Sequence, residues 1–103
     1  MTTKFFIPND NARPKEVSET EHAAWANTNA TKYNHSWQSK DGRKSFSLSF
    51  KGTQKFGGDL ILFILHSKFS DKDGNLITEI HDKFDDYEHA KEHYEFNLLL
   101  SGA

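Results

Sequence analysis

The sequence contains no cysteine and only two prolines, and neither sign of charge dominates it. Without cysteine there are no disulfide bonds, thiolate metal sites or thiol nucleophiles, which fits a reducing compartment. Thirteen basic against fifteen acidic residues give a net charge of −2, whereas nucleic-acid-binding proteins usually carry a basic excess. The longest apolar run, residues 60–65, is far too short to span a membrane. These features predict a cytoplasmic protein without a membrane segment.

Hydrophobic residues are also scarce, at 35% of the chain, but aromatic residues make up 14%. Because each aromatic ring buries a large area, a small core can be built mainly from rings. A chain of this length predicts one domain. We place a single α+β domain at residues 15–103. An N-terminal arm or edge strand at 1–14 precedes it, where Phe5-Phe6-Ile7 is closed by Pro8.

Capping signals predict one helix near each end of the chain. Ser18 is followed three residues later by Glu21, the spacing of a capping box, and this helix should end near residue 29 or 30. Asp85 and Glu88 predict the start of a final helix. That helix should end near Ser101-Gly102 because glycine suits the C-terminal cap.

Alternating residues between the helices predict four strands in two hairpins. Asp41-Gly42 is a signal for a two-residue type I′ turn. Counting outward from it pairs Trp37 with Phe46, His35 with Leu48 and Tyr33 with Phe50 on one face. Residues 59–69 and 76–84 predict the second hairpin. The expected fold class is therefore α+β, a four-stranded antiparallel sheet with an N-terminal and a C-terminal helix, in the order α-β-β-β-β-α.

Residues 89–93, HAKEH, match the H-x-x-E-H zinc signature of one metallopeptidase class. His89 and His93 are four residues apart, so they share one face of the final helix. The same helix has a core-facing stripe at helical spacing, formed by Tyr87, Ala90, Tyr94 and Leu98. That stripe, and the shortness of the motif, favour an exposed helical face over a zinc hydrolase.

The final helix also has a second, apolar-leaning stripe. It consists of His89, His93, Phe96 and Leu100. A helix with two such sides usually contacts something on both. The first interpretation is that Phe96 and Leu100 cover the N-terminal arm. The alternative is a partner or dimer contact, and we take this stripe as the candidate site for a protein partner.

A further cluster follows from pairing within the second hairpin. A four-residue loop at 71–74 places His66 opposite Glu79 and Ile64 opposite His81. His66, Glu79 and His81 would then share one sheet face as a two-histidine-one-carboxylate ligand set. A register slip of one residue would separate them. A metal at these residues is therefore the lesser alternative, and no cofactor is predicted.

No motif assembles a nucleophile, a base and an oxyanion donor, so the sequence does not predict an enzyme. We expect a small non-catalytic module that occludes a protein partner, such as a bacterial or phage-borne regulator or inhibitor, with inhibition of host defence as one case. The alternative is a nucleic-acid-associated protein that uses basic loops at Arg43, Lys44, Lys51 and Lys55. A third alternative is a small metal- or histidine-dependent enzyme that uses His35 or the His66–His81 pair. The oligomeric state is not predicted.

Overall fold

The computed structural model describes residues 3–9 and 13–102. The elements are β1 (Thr3–Ile7), β2 (Lys15–Val17), α1 (Glu19–Tyr33), β3 (His35–Gln38), β4 (Lys44–Lys55), β5 (Ile61–Ser70), β6 (Leu76–Phe84) and α2 (Tyr87–Leu100). Positions 1, 2 and 10–12 of the predicted arm, and the last position of the predicted domain, lie outside the described residues.

The strands form one antiparallel sheet in the order β2-β1-β4-β5-β6, with β3 also paired to β4. An α+β fold with an antiparallel sheet and two helices is therefore confirmed. The predicted count of four strands is wrong, because the sheet has six, and the order along the chain is β-β-α-β-β-β-β-α. The two additional strands both precede α1.

These additional strands come from the N-terminal segment. β1 pairs with β2 through Phe5↔Val17 and with β4 through Phe5↔Thr53, so residues 3–7 lie between two strands rather than at an edge. The ring centroid of Phe5 lies 5.0 Å from that of His22 on α1. Sheet pairing thus brings the apolar N-terminal patch under the first helix, where part of its surface is removed from water.

Strand β4 is long enough to hold two different neighbours on one edge. β3 pairs with its first half, and β1 pairs with its last residues. Backbone groups between the two are bonded by side chains near the ends of α1. Asn34 Oδ1 accepts from the Phe50 amide at 3.0 Å, and the His22 ring donates to the Lys51 carbonyl at 2.7 Å. Here β4 also has a bulge, where Gly52 adopts a positive φ of 60°.

The first hairpin has the predicted register over the strand residues. Trp37↔Phe46 and His35↔Leu48 are paired as expected. Tyr33 does not pair with Phe50, because it is the last residue of α1. In the turn, the Gly42 amide donates to the Ser39 carbonyl at 3.0 Å, and Gly42 takes the positive φ.

Both helices pack on the same face of the sheet. Ala90 and Tyr94 of α2 are buried, and Tyr87 and Leu98 pack against the core, which confirms the predicted core-facing stripe. The predicted capping box of α1 is present, with the Ser18 hydroxyl accepting from the Glu21 amide at 3.1 Å. The buried core residues are Phe46, Leu48, Leu62, Phe63, Leu65, Ser67, Ala90 and Tyr94.

We expect this core to make the protein sensitive to alkaline pH. Burial raises the pKa of the Tyr94 phenol above its usual value of about 10. The folded state therefore holds this proton more tightly than the unfolded chain. The free energy of unfolding should be independent of Tyr94 below pH 10 and should fall as the pH rises beyond it. In urea unfolding at pH 8 and pH 11, Tyr94→Phe should lose less stability than the wild type, and equal losses would contradict the assignment.

Candidate functional site

The sheet face opposite the helices carries mainly polar side chains, and we call it the open face. Its residues alternate along each strand with the core residues. They include Ser36, Gln38, Ser45, Ser47, Ser49, His66, Lys68, Glu79, His81 and Lys83.

The open face brings together the predicted His66, Glu79 and His81 cluster. The observed register of the second hairpin is His66↔His81 and Lys68↔Glu79, so the predicted pairings of His66 with Glu79 and Ile64 with His81 are wrong by two residues. The irregularity lies between Phe69 and Ser70, next to the turn. A shift of two residues keeps every side chain on its face, and the three residues therefore still meet.

The three side chains form a compact group. His66 Nε2 lies 3.1 Å from Glu79 Oε1, and His81 Nε2 lies 3.5 Å from the same oxygen. The two imidazole rings are stacked, with centroids 4.4 Å apart and planes 8° from parallel. Among residues 3–9 and 13–102, this is the one group of three histidine or carboxylate residues whose donor atoms converge closely enough to hold a metal ion.

The HAKEH motif does not form such a group in the described part of the chain. The rings of His89 and His93 are 5.0 Å apart and edge to face, and both contact the ring of Phe84 at the end of β6. Together with Glu92 and Phe96 they line a groove of about 310 Å³. The motif therefore lies on a surface where helix α2 meets the edge strand.

The predicted partner-binding stripe on α2 is exposed to solvent. Phe96 is 58% exposed, and Leu100 and the neighbouring Leu99 are more exposed still. The N-terminal residues 3–7 pair with β2 and β4 instead. The first interpretation, in which Phe96 and Leu100 cover the N-terminal arm, is thus wrong for the residues that the structure describes.

Strand β6 forms an apolar edge that sequence analysis did not identify as a site. It is the last strand of the sheet, and Leu76, Ile77 and Ile80 are all exposed, Ile77 by 66%. Three apolar residues within five positions were the available signal. The same pattern is typical of an ordinary returning strand, and a sequence does not say which strand will lie at the edge.

The predicted nucleic-acid residues do not form one patch. Arg43 and Lys44 lie at the start of β4, while Lys51 and Lys55 lie at and beyond its bulge. At about 3.3 Å per strand residue, about 20 Å or more separates the two pairs. Arg43 also lies 3.8 Å from the Asp41 carboxylate, which offsets part of its charge.

His35, the other histidine considered for catalysis, belongs to the packing between the helices and β3. The Tyr87 hydroxyl donates to the Lys32 carbonyl at 3.1 Å. With its single proton used there, the phenol oxygen accepts from His35 Nε2, which lies 2.9 Å away. The His35 ring also stacks on Tyr94. These contacts join β3 to both helices.

A further cleft does not overlap any predicted site. It has a volume of about 810 Å³ and lies between the end of α1, the start of β5 and the start of α2. Its charged lining residues are Arg13, Lys32, Asp85, Asp86 and Glu88.

In comparisons with protein-family models, with curated proteins and with solved structures, nothing matches this chain. Neither described helix is long and apolar enough to cross a bilayer.

Proposed function

We propose that this chain is a non-catalytic protein-binding module that occludes a partner through β6 and α2. The observation that carries the proposal is the group of large apolar side chains that these two elements expose. Its members are Leu76, Ile77, Ile80, Phe96, Leu99 and Leu100, and we call it the β6–α2 surface.

The first part of the β6–α2 surface is a strand edge. β6 has nine residues, so its edge is about 30 Å long at 3.3 Å per residue. Such an edge offers backbone N–H and C=O groups to an added strand. Its charged residues, Glu79, Asp82 and Lys83, lie mostly toward its end. The half that contains Leu76 and Ile77 is the better docking segment.

The second part is the outward side of α2. After a connection of two residues, α2 turns back over the sheet and contacts β6 through Phe84. Phe96 lines the same groove as His89 and His93, which contact Phe84. We infer that Phe96 and Leu100 lie toward the first half of β6. A partner that adds a strand to β6 would therefore meet apolar anchors on the helix, a combination typical of interface centres.

Two variants, each of which removes an exposed phenylalanine ring, test this surface. Proteins captured from an extract by the wild-type chain would be identified, and the purified partner would be titrated by calorimetry. Phe96→Ser combined with Ile77→Lys should weaken binding by about 100-fold or more, because it removes an apolar anchor and places a charge on the docking edge. Both residues are exposed, so the variant should unfold at the same urea concentration as the wild type.

The control is Phe56→Ser, which removes an 80% exposed ring from the turn between β4 and β5. Its Kd should equal that of the wild type. Equal loss in both variants, or unchanged binding in the β6–α2 variant, would rule out this surface. A steep dependence on salt, weakened by Arg43→Ala with Lys44→Ala, would instead favour nucleic acid. A doubling of the molar mass in light scattering would identify a second copy as the partner.

A further inference from the structure

The strongest feature outside the β6–α2 surface is the histidine–glutamate cluster on the open face. His66 projects from β5, and Glu79 and His81 project from β6. His66 and His81 are direct cross-strand neighbours, and Glu79 is two residues from His81 on the same face. Regular sheet pairing therefore fixes the relative positions of all three side chains, as a binding site requires.

The spacing of the donor atoms suits a small metal ion. Tetrahedral zinc with bonds of about 2.0–2.1 Å holds any two donor atoms about 3.3 Å apart. The two observed nitrogen-to-oxygen separations, 3.1 and 3.5 Å, lie on either side of this value. All three donor atoms lie within 4.8 Å of one another. To direct both imidazole nitrogens at one ion, the two rings would rotate out of their stacked arrangement.

His66 provides a second and independent observation. Its Nε2 atom is shielded from solvent and has no hydrogen-bond partner in the described structure. The Glu79 oxygen lies within ion-pair distance of this nitrogen but does not meet hydrogen-bond geometry. A buried polar atom without a partner is unfavourable. A metal ion among the three donors would supply the missing interaction.

We propose that His66, Glu79 and His81 bind a divalent transition-metal ion, for which zinc is the probe. Two imidazoles and one carboxylate suit zinc, nickel, copper or iron(II), whereas magnesium and calcium prefer oxygen ligands. Three protein ligands leave at least one coordination position for water or an external ligand. The Glu79 and His81 side chains are partly exposed, so this position faces solvent. The ion would also join the edge strand β6 to β5.

Calorimetry with the untagged chain tests the site. The protein is treated with EDTA, dialysed and titrated with zinc chloride and, separately, with magnesium chloride. We expect one zinc ion per chain and no measurable binding of magnesium. His81→Ala and Glu79→Gln should each weaken zinc binding by at least about tenfold, since each removes one of three ligands. Zinc should raise the melting temperature of the wild type and not that of these variants.

The control is His89→Ala combined with His93→Ala, which removes the two histidines of the HAKEH motif. This variant should bind zinc as the wild type does. Urea unfolding in EDTA should show that the His81→Ala and Glu79→Gln variants fold as the wild type does, since both side chains are partly exposed. Absence of stoichiometric zinc in the wild type would overturn the inference. So would unchanged binding in both open-face variants, or loss of binding only in the helix variant. None of these outcomes depends on the β6–α2 surface.

Discussion

Gly52→Ala should be among the most destabilising single methyl additions in this protein, with a loss of about 2–5 kcal/mol in the free energy of unfolding. Two effects add. Gly52 has a positive φ of 60°, which an alanine adopts only with strain. A Cβ atom at this position would also collide with the Phe6 carbonyl and the Phe50 ring. The carbonyl belongs to the backbone of β1 and has no alternative rotamer to adopt.

Gly57→Ala is the matched control, because it adds the same methyl group at a similar positive φ of 75° with nothing within 4 Å. Gly57→Ala should lower the free energy of unfolding by about 1 kcal/mol, which is the contribution of the strained φ alone. Urea unfolding of both variants at pH 7 measures the difference. If the two losses are equal, β1 does not pack against the β4 bulge as described. A larger loss for Gly52→Ala is the expected result, because only its added Cβ collides with neighbouring atoms.

Phe63→Ala should cost about 3–5 kcal/mol, a large share of the stability of a small domain. Phe63 is 0% exposed. Its ring centroid lies 5.7 Å from that of Tyr33 at the end of α1 and 5.4 Å from that of Tyr87 at the start of α2. Removing the ring leaves a cavity where both helices meet the sheet. Both helices should therefore lose protection together in native-state hydrogen exchange.

The control for this variant is Phe56→Ala, which deletes the same ring from a side chain that is 80% exposed. Its free energy of unfolding should stay within about 0.5 kcal/mol of that of the wild type. Both variants delete the same ring, so the difference between their urea midpoints measures the contribution of burial. Similar midpoints for the two variants would show that Phe63 is not at the centre of the core.

The candidate metal cluster shows how a correct grouping can follow from an incorrect pairing. The sequence predicted that His66, Glu79 and His81 share a face, and they do, although the register is displaced by two residues. Alternation within β6 puts Glu79 and His81 on one side in any register, and only an odd shift would move His66 away from them. The distances that make the cluster a candidate site depend on the observed register, which the irregularity near Ser70 sets.

Features that depend on near neighbours in the chain could be predicted from the sequence. The capping box at Ser18, the pairing of Trp37 with Phe46 and the core-facing side of α2 were all predicted. In each case the interacting groups are separated by a few residues or by one short turn. Their geometry therefore follows from local backbone conformation and side-chain period.

The neighbours of each strand across the sheet could not be predicted from the sequence, because they depend on contacts between distant segments of the chain. β1 pairs with residues of β4 about fifty positions later in the chain, and His22 and Asn34 bond the part of β4 that lies between β1 and β3. In such contacts, the apolar and polar alternation of each strand is compatible with several different neighbouring strands. The choice among partners is made by the total apolar area that the whole chain can bury. That choice also left β6 at the edge, with Leu76, Ile77 and Ile80 facing solvent.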